Sequence, residues 1–347
     1  MKSSSSSGAV TIKQVARRAG VSTATVSRVL NGSAPVREET RSRVLEAARR
    51  LDYVPDQAAR SLITRRTRTI GVILPEVHGA YFSEVVRGAD AVARQAGYHL
   101  LLSGFHSDER DLASILRTTR GRVDGLIVML PHAGGRPLAS WAGEPVPVVF
   151  LNAGDDGTAH DVIRIDNAGG ARQVLEHLWS LGHRRLAVVT GPAGNIDAAE
   201  RLRGFRKAFE ERGGDPRDLV EVAGDFSEQS GHAAGASIVA LEPRPTAVFA
   251  TNDSMAVGVL AAADESGVEV PEALSLVGFD DIPMARYLNP PLTSVAACMA
   301  EVGQRAVQRL LSVVGTAGLD AFVDVLPARL VVRASTAGPA GRDRSSE

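Results

Sequence analysis

The sequence predicts a chain in two parts: an all-α helix-turn-helix, then an α/β core of two doubly wound parallel-sheet lobes. Three observations carry that expectation. Residues 11–51 hold three short amphipathic helical patterns, with a glycine-containing turn between the first two. From Ile70 onward, near-continuous apolar strands alternate with amphipathic helices, the pattern of parallel sheets covered on both faces. Charge is also segregated. Residues 1–66 carry 13 Lys/Arg against 5 Asp/Glu, a net of +8, while the remaining 26 basic and 35 acidic residues give −9. A basic segment joined to an acidic body is the footprint of a chain that meets a polyanion at one end only.

Size and composition narrow the function classes. At 347 residues the chain is long enough for two or three domains, and 44% apolar with 23% charged residues is ordinary for a soluble globular protein. One cysteine, Cys298, excludes a disulfide framework, and no C-x-x-C spacing suggests a metal site, which fits a reducing compartment. Met1-Lys2 leads into a serine run with no apolar h-region, and no stretch reaches the roughly 20 apolar residues of a membrane span. A cytoplasmic protein without membrane contact and without a cofactor is expected.

Residues 1–10 are assigned as a disordered arm, since 2–8 (Lys-Ser-Ser-Ser-Ser-Ser-Gly) have nothing apolar to bury. Thr11-Ile12-Lys13-Gln14 forms a capping box. Ile12, Val15, Ala16 and Ala19 share one helical face, and Gly20 ends the first helix. Ser22 caps a second helix with Val26, Val29 and Leu30 inward, ending at Asn31-Gly32. A third helix, about 37–51, turns Val44, Leu45 and Ala48 inward, although Arg37 is a poor cap. Residues 11–55 make the helix-turn-helix domain and 56–68 a hinge and linker, too short and charged to hold a helix alone.

In the core, strands are expected at about 70–74, 98–103, 124–129, 146–151, 162–165, 186–190, 247–250, 274–278, 322–326 and 329–333. Helices are expected at about 81–97, 170–181, 199–212, 227–241, 254–267 and 299–314. The core is bounded at 69–335. Its N-lobe takes about 69–165 and 297–325, its C-lobe about 166–296 and 326–335, and 336–347 form a disordered tail.

The second helix of a helix-turn-helix lies in the major groove with its first residues at base edges. Thr23 can hydrogen-bond a base or place its methyl on thymine, Ala24 makes apolar contact, and Arg28 can grip guanine with two donors. Ser22, Thr25, Ser27 and first-helix donors such as Thr11 suit phosphates, which set register and carry no sequence information.

Thr11 through Ala16, together with Gly20-Val21-Ser22-Thr23-Ala24-Thr25-Val26-Ser27-Arg28-Val29-Leu30-Asn31-Gly32, resembles the N-terminal signature of the LacI/GalR regulators nearly position for position. Further matches are Tyr53-Val54-Pro55, Ala59-Arg60-Ser61-Leu62, Asp166-Asn167, Gly182-His183, Arg201-Leu202-Arg203-Gly204-Phe205, Asn252-Asp253, Gly278-Phe279-Asp280-Asp281 and Pro290-Pro291-Leu292-Thr293. The resemblance implies a core of the periplasmic-binding-protein-like type I fold. It also implies a homodimeric repressor on a palindromic double-stranded operator, controlled by a small effector, expected to be a sugar, that acts as an inducer as in sugar-responsive relatives or as a corepressor as in purine-responsive ones. Asn31 and Ala59 join the DNA-contacting set by the same resemblance. Asp56 to Leu62 is implied to be a hinge helix that orders on DNA and wedges Leu62 into the minor groove. Relatives usually have Asn where this chain has Asp56, and a carboxylate there is mildly unfavourable near phosphate. Around the effector the resemblance places Asp166, Arg201, Asn252 and Asp280, with Phe82 and Phe226 as walls, a set that suits a polyhydroxylated ligand. Asn167 and Asp253 are expected to serve as caps or turns.

Competing chemistries find little support. Asp166 and Asp280 could be a glycosidase pair, yet nothing in the sequence marks one of them as an acid. Gly191-Pro192-Ala193-Gly194 lacks the G-K-[ST] ending of a phosphate loop, the 8 histidines show no ligand spacing, and lone Cys298 fits a small buried hydrophobe. A sugar-binding protein or enzyme that merely kept this core is the other class considered, and residues 11–62 count against it.

Overall fold

A computed structural model describes residues 10–31, 35–53, 66–75, 79–105, 109–130, 146–153, 160–314 and 320–339. The arm, most of the hinge segment with Asp56, Ala59 and Leu62, the side chain of Asn31 and residues 340–347 lie outside the described residues. The chain divides into two compact units, Met1–Thr67 and Arg68–Glu347.

The first unit holds α1 (Ile12–Ala19), α2 (Thr23–Asn31) and α3 (Glu38–Arg50). At the start of α1 the Gln14 Oε1 accepts from the Thr11 backbone N–H at 2.7 Å and from its hydroxyl at 3.1 Å. Gly20 ends the helix at φ 65°, letting the Val21 N–H reach back to the Ala16 carbonyl at 3.1 Å. The Ser22 hydroxyl then caps α2 by accepting from the Thr25 N–H at 3.1 Å. Val15, Ala16, Ala19, Val26, Val29, Val44, Ala47 and Ala48 form the core. Leu45, expected inside, is 47% exposed. Val44, Ala47 and Ala48 keep the three-and-four spacing of the buried stripe, which leaves Leu45 about 100° round the helix from Val44. Arg37 supplies no side-chain cap to α3, and Glu38 and Glu39 in the first turn complement the helix dipole instead.

The second unit begins with β1 (Thr69–Leu74), α4 (Ala80–Gln95), β2 (His99–Gly104), α5 (Glu109–Thr119), β3 (Gly125–Met129), β4 (Val148–Leu151) and β5 (Asp161–Ile165). It continues through α6 (Asn167–Ser180), β6 (Leu186–Thr190), α7 (Ile196–Glu211), β7 (Leu219–Ala223), α8 (Glu228–Val239), β8 (Ala247–Ala250), α9 (Asp253–Glu265), β9 (Ser275–Asp280) and β10 (Thr293–Ala296). The last elements are α10 (Met299–Val313), β11 (Val323–Leu326) and β12 (Arg329–Val331). One sheet has the order β11-β5-β4-β3-β1-β2, the other β12-β10-β9-β8-β6-β7. Adjacent residues such as Val72 and Ile73, or Val188 and Val189, fall in different core clusters, so both faces of both sheets are buried. The chain passes between sheets after β5, after β10 and between β11 and β12.

Pairing is parallel throughout except at β12, which runs antiparallel to β10. After β11 only two residues separate the sheets, and a strand entering so soon joins the edge in the opposite sense. Three elements were missing from the sequence reading. β7 has a half-exposed edge pattern, β10 is four residues long with Thr293 and Ser294 buried among apolar neighbours, and α5 is the third. α6 starts three residues before the expected position. Gly169-Gly170 looks like a break, yet a Cβ at Gly170 would stand 2.9 Å from the Phe279 ring, so this glycine serves close packing inside the helix.

The core also runs past the expected boundary at 335. The Ala337 N–H donates to Ser275 Oγ at 2.9 Å, the Ala337 carbonyl lies 2.7 Å from His183 Nε2, and Thr336 Oγ1 lies 2.9 Å from His177 Nε2. A short polar tail signals disorder in sequence, but here buried Ser335, His183 and Ser275 fasten it.

Candidate functional site

In the first unit, Val26 and Val29 turn α2 onto the core and thereby aim Thr23, Ala24 and Arg28 at solvent. Thr11 and Ser22 are exposed as well, while Thr25 and Ser27 are half-buried. The Ser22 and Thr25 hydroxyls share a hydrogen bond of 2.9 Å, so their first partner is each other. The exposed face therefore presents one guanidinium, a threonine and an alanine on the outward turns of a helix held by Ser22, a geometry suited to a groove.

In the second unit, polar side chains collect just beyond the carboxyl ends of parallel strands: Asn152 after β4, Asn167 after β5, Thr251 after β8, and Asp280 closing β9. That is where crevices of open parallel sheets receive ligands. Arg201, in the middle of α7 and 2% exposed, ties them together. Its Nε–H donates to Asn167 Oδ1 at 2.8 Å, its Nη1 donates to the Thr251 carbonyl at 2.6 Å, and its Nη2 stands 3.1 Å from Asp280 Oδ1. The guanidinium carbon lies 3.8 Å from the Phe279 ring centroid and 5.9 Å from that of Phe226. Asp280 adopts φ 109°, a conformation that costs a non-glycine residue about 1–3 kcal/mol and that is held here by the ion pair with Arg201.

A second carboxylate, Asp197, joins from the first turn of α7. It accepts from Asn152 Nδ2 at 2.7 Å and from Asn167 Nδ2 at 2.9 Å, and Asn152 Nδ2 also donates to the Tyr81 hydroxyl oxygen at 2.7 Å. Burial pushes the Asp280 carboxyl up to about 6 against the pull of Arg201, with Asp197 repelling it. Burial likewise raises Asp197 to about 6, opposed by Arg201 and reinforced by Glu200. A cavity of about 430 Å³ adjoins this cluster, with Asn152, Arg164, Asn195, Asp197, Glu200 and Arg203 among its lining residues.

Of the six residues expected at this site, Arg201 and Asp280 are paired and Phe226 flanks them. Phe82 packs edge-on against Tyr81 at 5.3 Å between centroids, one residue from the network. The other two also cap helices. Asp166 is exposed and caps α6, accepting from the Gly169 N–H at 2.8 Å. Asn252 caps α9 through Met255 N–H at 2.9 Å and donates from Nδ2 to the Phe226 carbonyl at 3.0 Å, so it positions a wall of the cleft. Asp253 is structural, accepting from the Ile282 N–H at 2.8 Å and the Ser294 hydroxyl at 2.5 Å. Sequence reasoning missed Asn152, Asp197, Tyr81 and Thr251. For Asn152 and Thr251 the signal was their position just past apolar parallel strands; for Asp197 and Tyr81 no local pattern marks them.

Residues 11–56 match the family described as bacterial regulatory proteins, lacI family, and residues 175–336 match a periplasmic binding protein-like domain. The chain is 38% identical over 338 residues to the HTH-type transcriptional repressor PurR of Salmonella paratyphi B, covering 96% of this chain and 98% of the relative. It is 34% identical over 329 residues to catabolite control protein A of Priestia megaterium, covering 94% and 99%. The chain belongs to the LacI family. Among solved structures of this family, a Lac repressor dimer bound to operator and the anti-inducer ONPF matches with a TM-score of 0.87 at 32% identity, over 95% of this chain and 100% of that one. A complex of the transcriptional regulator CelR with cellobiose matches with a TM-score of 0.71 at 30% identity, over 94% and 99%. The LacI-family fold, a helix-turn-helix unit with a two-lobed core, is thus common to all of them. Among the described residues no helix is long and apolar enough to cross a membrane.

Proposed function

We propose that this chain is a homodimeric transcriptional repressor that binds a near-palindromic operator, its grip set by a small polyhydroxylated effector, a sugar, between the two lobes. One observation carries the reading: a LacI-type helix-turn-helix shares a chain with a buried Arg201–Asp280–Asn167–Asp197 cluster beside a ligand-sized cavity. The relatives support it, since a Lac repressor dimer is described with operator and anti-inducer and CelR with cellobiose. In this reading Thr23, Ala24 and Arg28 meet base edges, and Thr11, Ser22, Thr25, Ser27 and Asn31 set register on phosphates. Ala59 and Leu62 act from the hinge, with Leu62 as the minor-groove wedge. Arg201 and Asp280 hold the effector, with Phe82 and Phe226 as walls. Asp166 and Asn252 join them at the effector, each also capping a helix. The protein performs no catalysis and works in the cytoplasm.

The test is selection of bound duplexes from a random library by the full-length chain, followed by titration of the winning sequence. A two-fold symmetric site is expected, with log affinity falling linearly with log salt. Recovery of no preferred sequence would overturn the reading.

A further inference from the structure

We infer that the ligand of the cleft carries a negative group, as a sugar acid or sugar phosphate does, and that its charged oxygens are held between Arg164 of one lobe and Arg203 of the other. The inference rests on the ligand-controlled reading above and narrows it, since that reading leaves the charge of the ligand open.

Arg164 stands where the sheet itself gives no reason for a cation. β5 runs Asp161-Val162-Ile163-Arg164-Ile165, with Val162, Ile163 and Ile165 buried and Arg164 half-buried among them. A guanidinium drawn partly out of water calls for an acceptor. Arg201, Arg309 and Arg333, also withdrawn from solvent, each have a carboxylate oxygen within 3.1 Å. Arg164 has no hydrogen bond and no ion pair among the described residues. What it meets instead is the cavity of about 430 Å³, a volume within the range of small-ligand sites. The strand register pairs Leu151 with Ile163, which sets Arg164 beside Asn152 at the ends of β4 and β5.

The opposite wall adds donors. Arg203, on α7, lines the same cavity and keeps 69% of its side chain in solvent, 3.5 Å from Glu200. An exposed pair at that distance is weak, so a ligand anion can take the place of Glu200 at Arg203. Asn195, 7% exposed, accepts from the Ala198 N–H at 3.0 Å through Oδ1, and its Nδ2 makes no hydrogen bond among the described residues. A carboxylate or phosphate accepts two parallel N–H bonds from a guanidinium, a match that a neutral hydroxyl does not offer.

The deeper carboxylates are answered within the protein. Asp280 faces Arg201, and Asp197 accepts from Asn152 and Asn167, its carboxyl pushed up to about 6 by burial. Arg164 is the cation left over. Since Arg164 belongs to the β11-β5-β4-β3-β1-β2 sheet and Arg203 to a helix packed on the other sheet, an anion held by both ties lobe to lobe. Such a ligand binds the drawn-together arrangement better than the parted one, which is what a population shift requires.

The experiment is thermal unfolding of the full-length chain with glucose, galactose and ribose, each offered as the neutral sugar, as its phosphate ester and as its aldonic acid. A rise in Tm with an anionic form and none with its neutral parent is expected, and the form that acts separates carboxylate from phosphate. Arg164→Gln should weaken that ligand by about 10–100-fold, the usual range for losing a hydrogen bond to a charged group. Arg203→Gln, on a side chain mostly in solvent, keeps the test open should Arg164→Gln fail to fold, and it should weaken the same ligand. A rise with a neutral sugar that matches or exceeds its anionic forms overturns the inference and leaves the ligand-controlled reading standing. So does an anionic ligand bound equally well by the wild type and both variants. No rise with any form overturns both.

Discussion

Replacing Arg201 with Ala should destabilise the Arg68–Glu347 unit by about 3–5 kcal/mol at pH 7.5, the range for breaking a buried ion pair, and by clearly less at pH 5. The variant deprives Asn167 Oδ1 and the Thr251 carbonyl of their donor and leaves Asp280 and Asp197 without a cation. In the wild type both carboxyls are raised from 3.8 to about 6. At about 1.4 kcal/mol per pKa unit, that rise makes each ionised carboxylate cost about 3 kcal/mol at neutral pH relative to acid. A raised folded pKa contributes stability that is fully present below the unfolded value of 3.8 and lost as pH climbs through about 6. Arg201 lowers both carboxyls, so its removal drives them higher and extends the loss above pH 6. At pH 5 both proteins hold the carboxyls mostly protonated, and the gap narrows. Urea unfolding followed by tryptophan fluorescence reads this unit directly, because both tryptophans, 141 and 179, lie within it. An equal difference at pH 5 and pH 7.5, or one below about 1 kcal/mol at pH 7.5, would refute the electrostatic account of the cluster.

Other expectations follow from packing and from the DNA face. Gly303→Ala should cost about 1–3 kcal/mol in urea unfolding despite alanine's better helix propensity, because the new Cβ would sit 2.0 Å from the Val85 carbonyl oxygen and force α4 and α10 apart. Ser22→Ala removes the α2 cap and should lower protection from hydrogen exchange across residues 23–31 by about 1 kcal/mol, with residues 68–347 unchanged. Arg28→Ala should cost about 1–3 kcal/mol of operator affinity and relax preference at one base position, measured by titrating single-base variants of the selected duplex; an unaltered preference removes Arg28 from base contact.

Much of this architecture is legible in sequence because it depends on local patterns. The three-and-four spacing of Val15, Ala16 and Ala19, the Ser22 cap and Gly20 define the helix-turn-helix, and apolar runs such as Ile70–Leu74 and Leu186–Thr190 define buried parallel strands. Arg201 and Asp280 were legible as ligand-type residues only through their resemblance to family positions. What stayed hidden depends on tertiary company. Leu45 turns outward because Ala47 and Ala48 complete the stripe, and β10 is a strand because β9 and β12 flank it, despite buried Thr293 and Ser294. Asp166 and Asn252, expected at the effector, each also stand at a helix start where an oxygen accepts from a backbone N–H, a second role that a cap position before α6 and α9 carries in sequence. Asp197, by contrast, looks like a surface acid in the first turn of α7, and only the approach of Asn152 from the other sheet makes it part of the cleft.

The central claim is that occupancy of the cleft and the grip on DNA are coupled. The most direct test titrates a labelled duplex of the selected site with the full-length chain, with and without a sugar that raises its Tm, and repeats that sugar's own titration with and without the duplex. The account predicts that each ligand changes the other's affinity by the same factor, on the order of 5–150-fold. Affinities that stay the same in both titrations would contradict it.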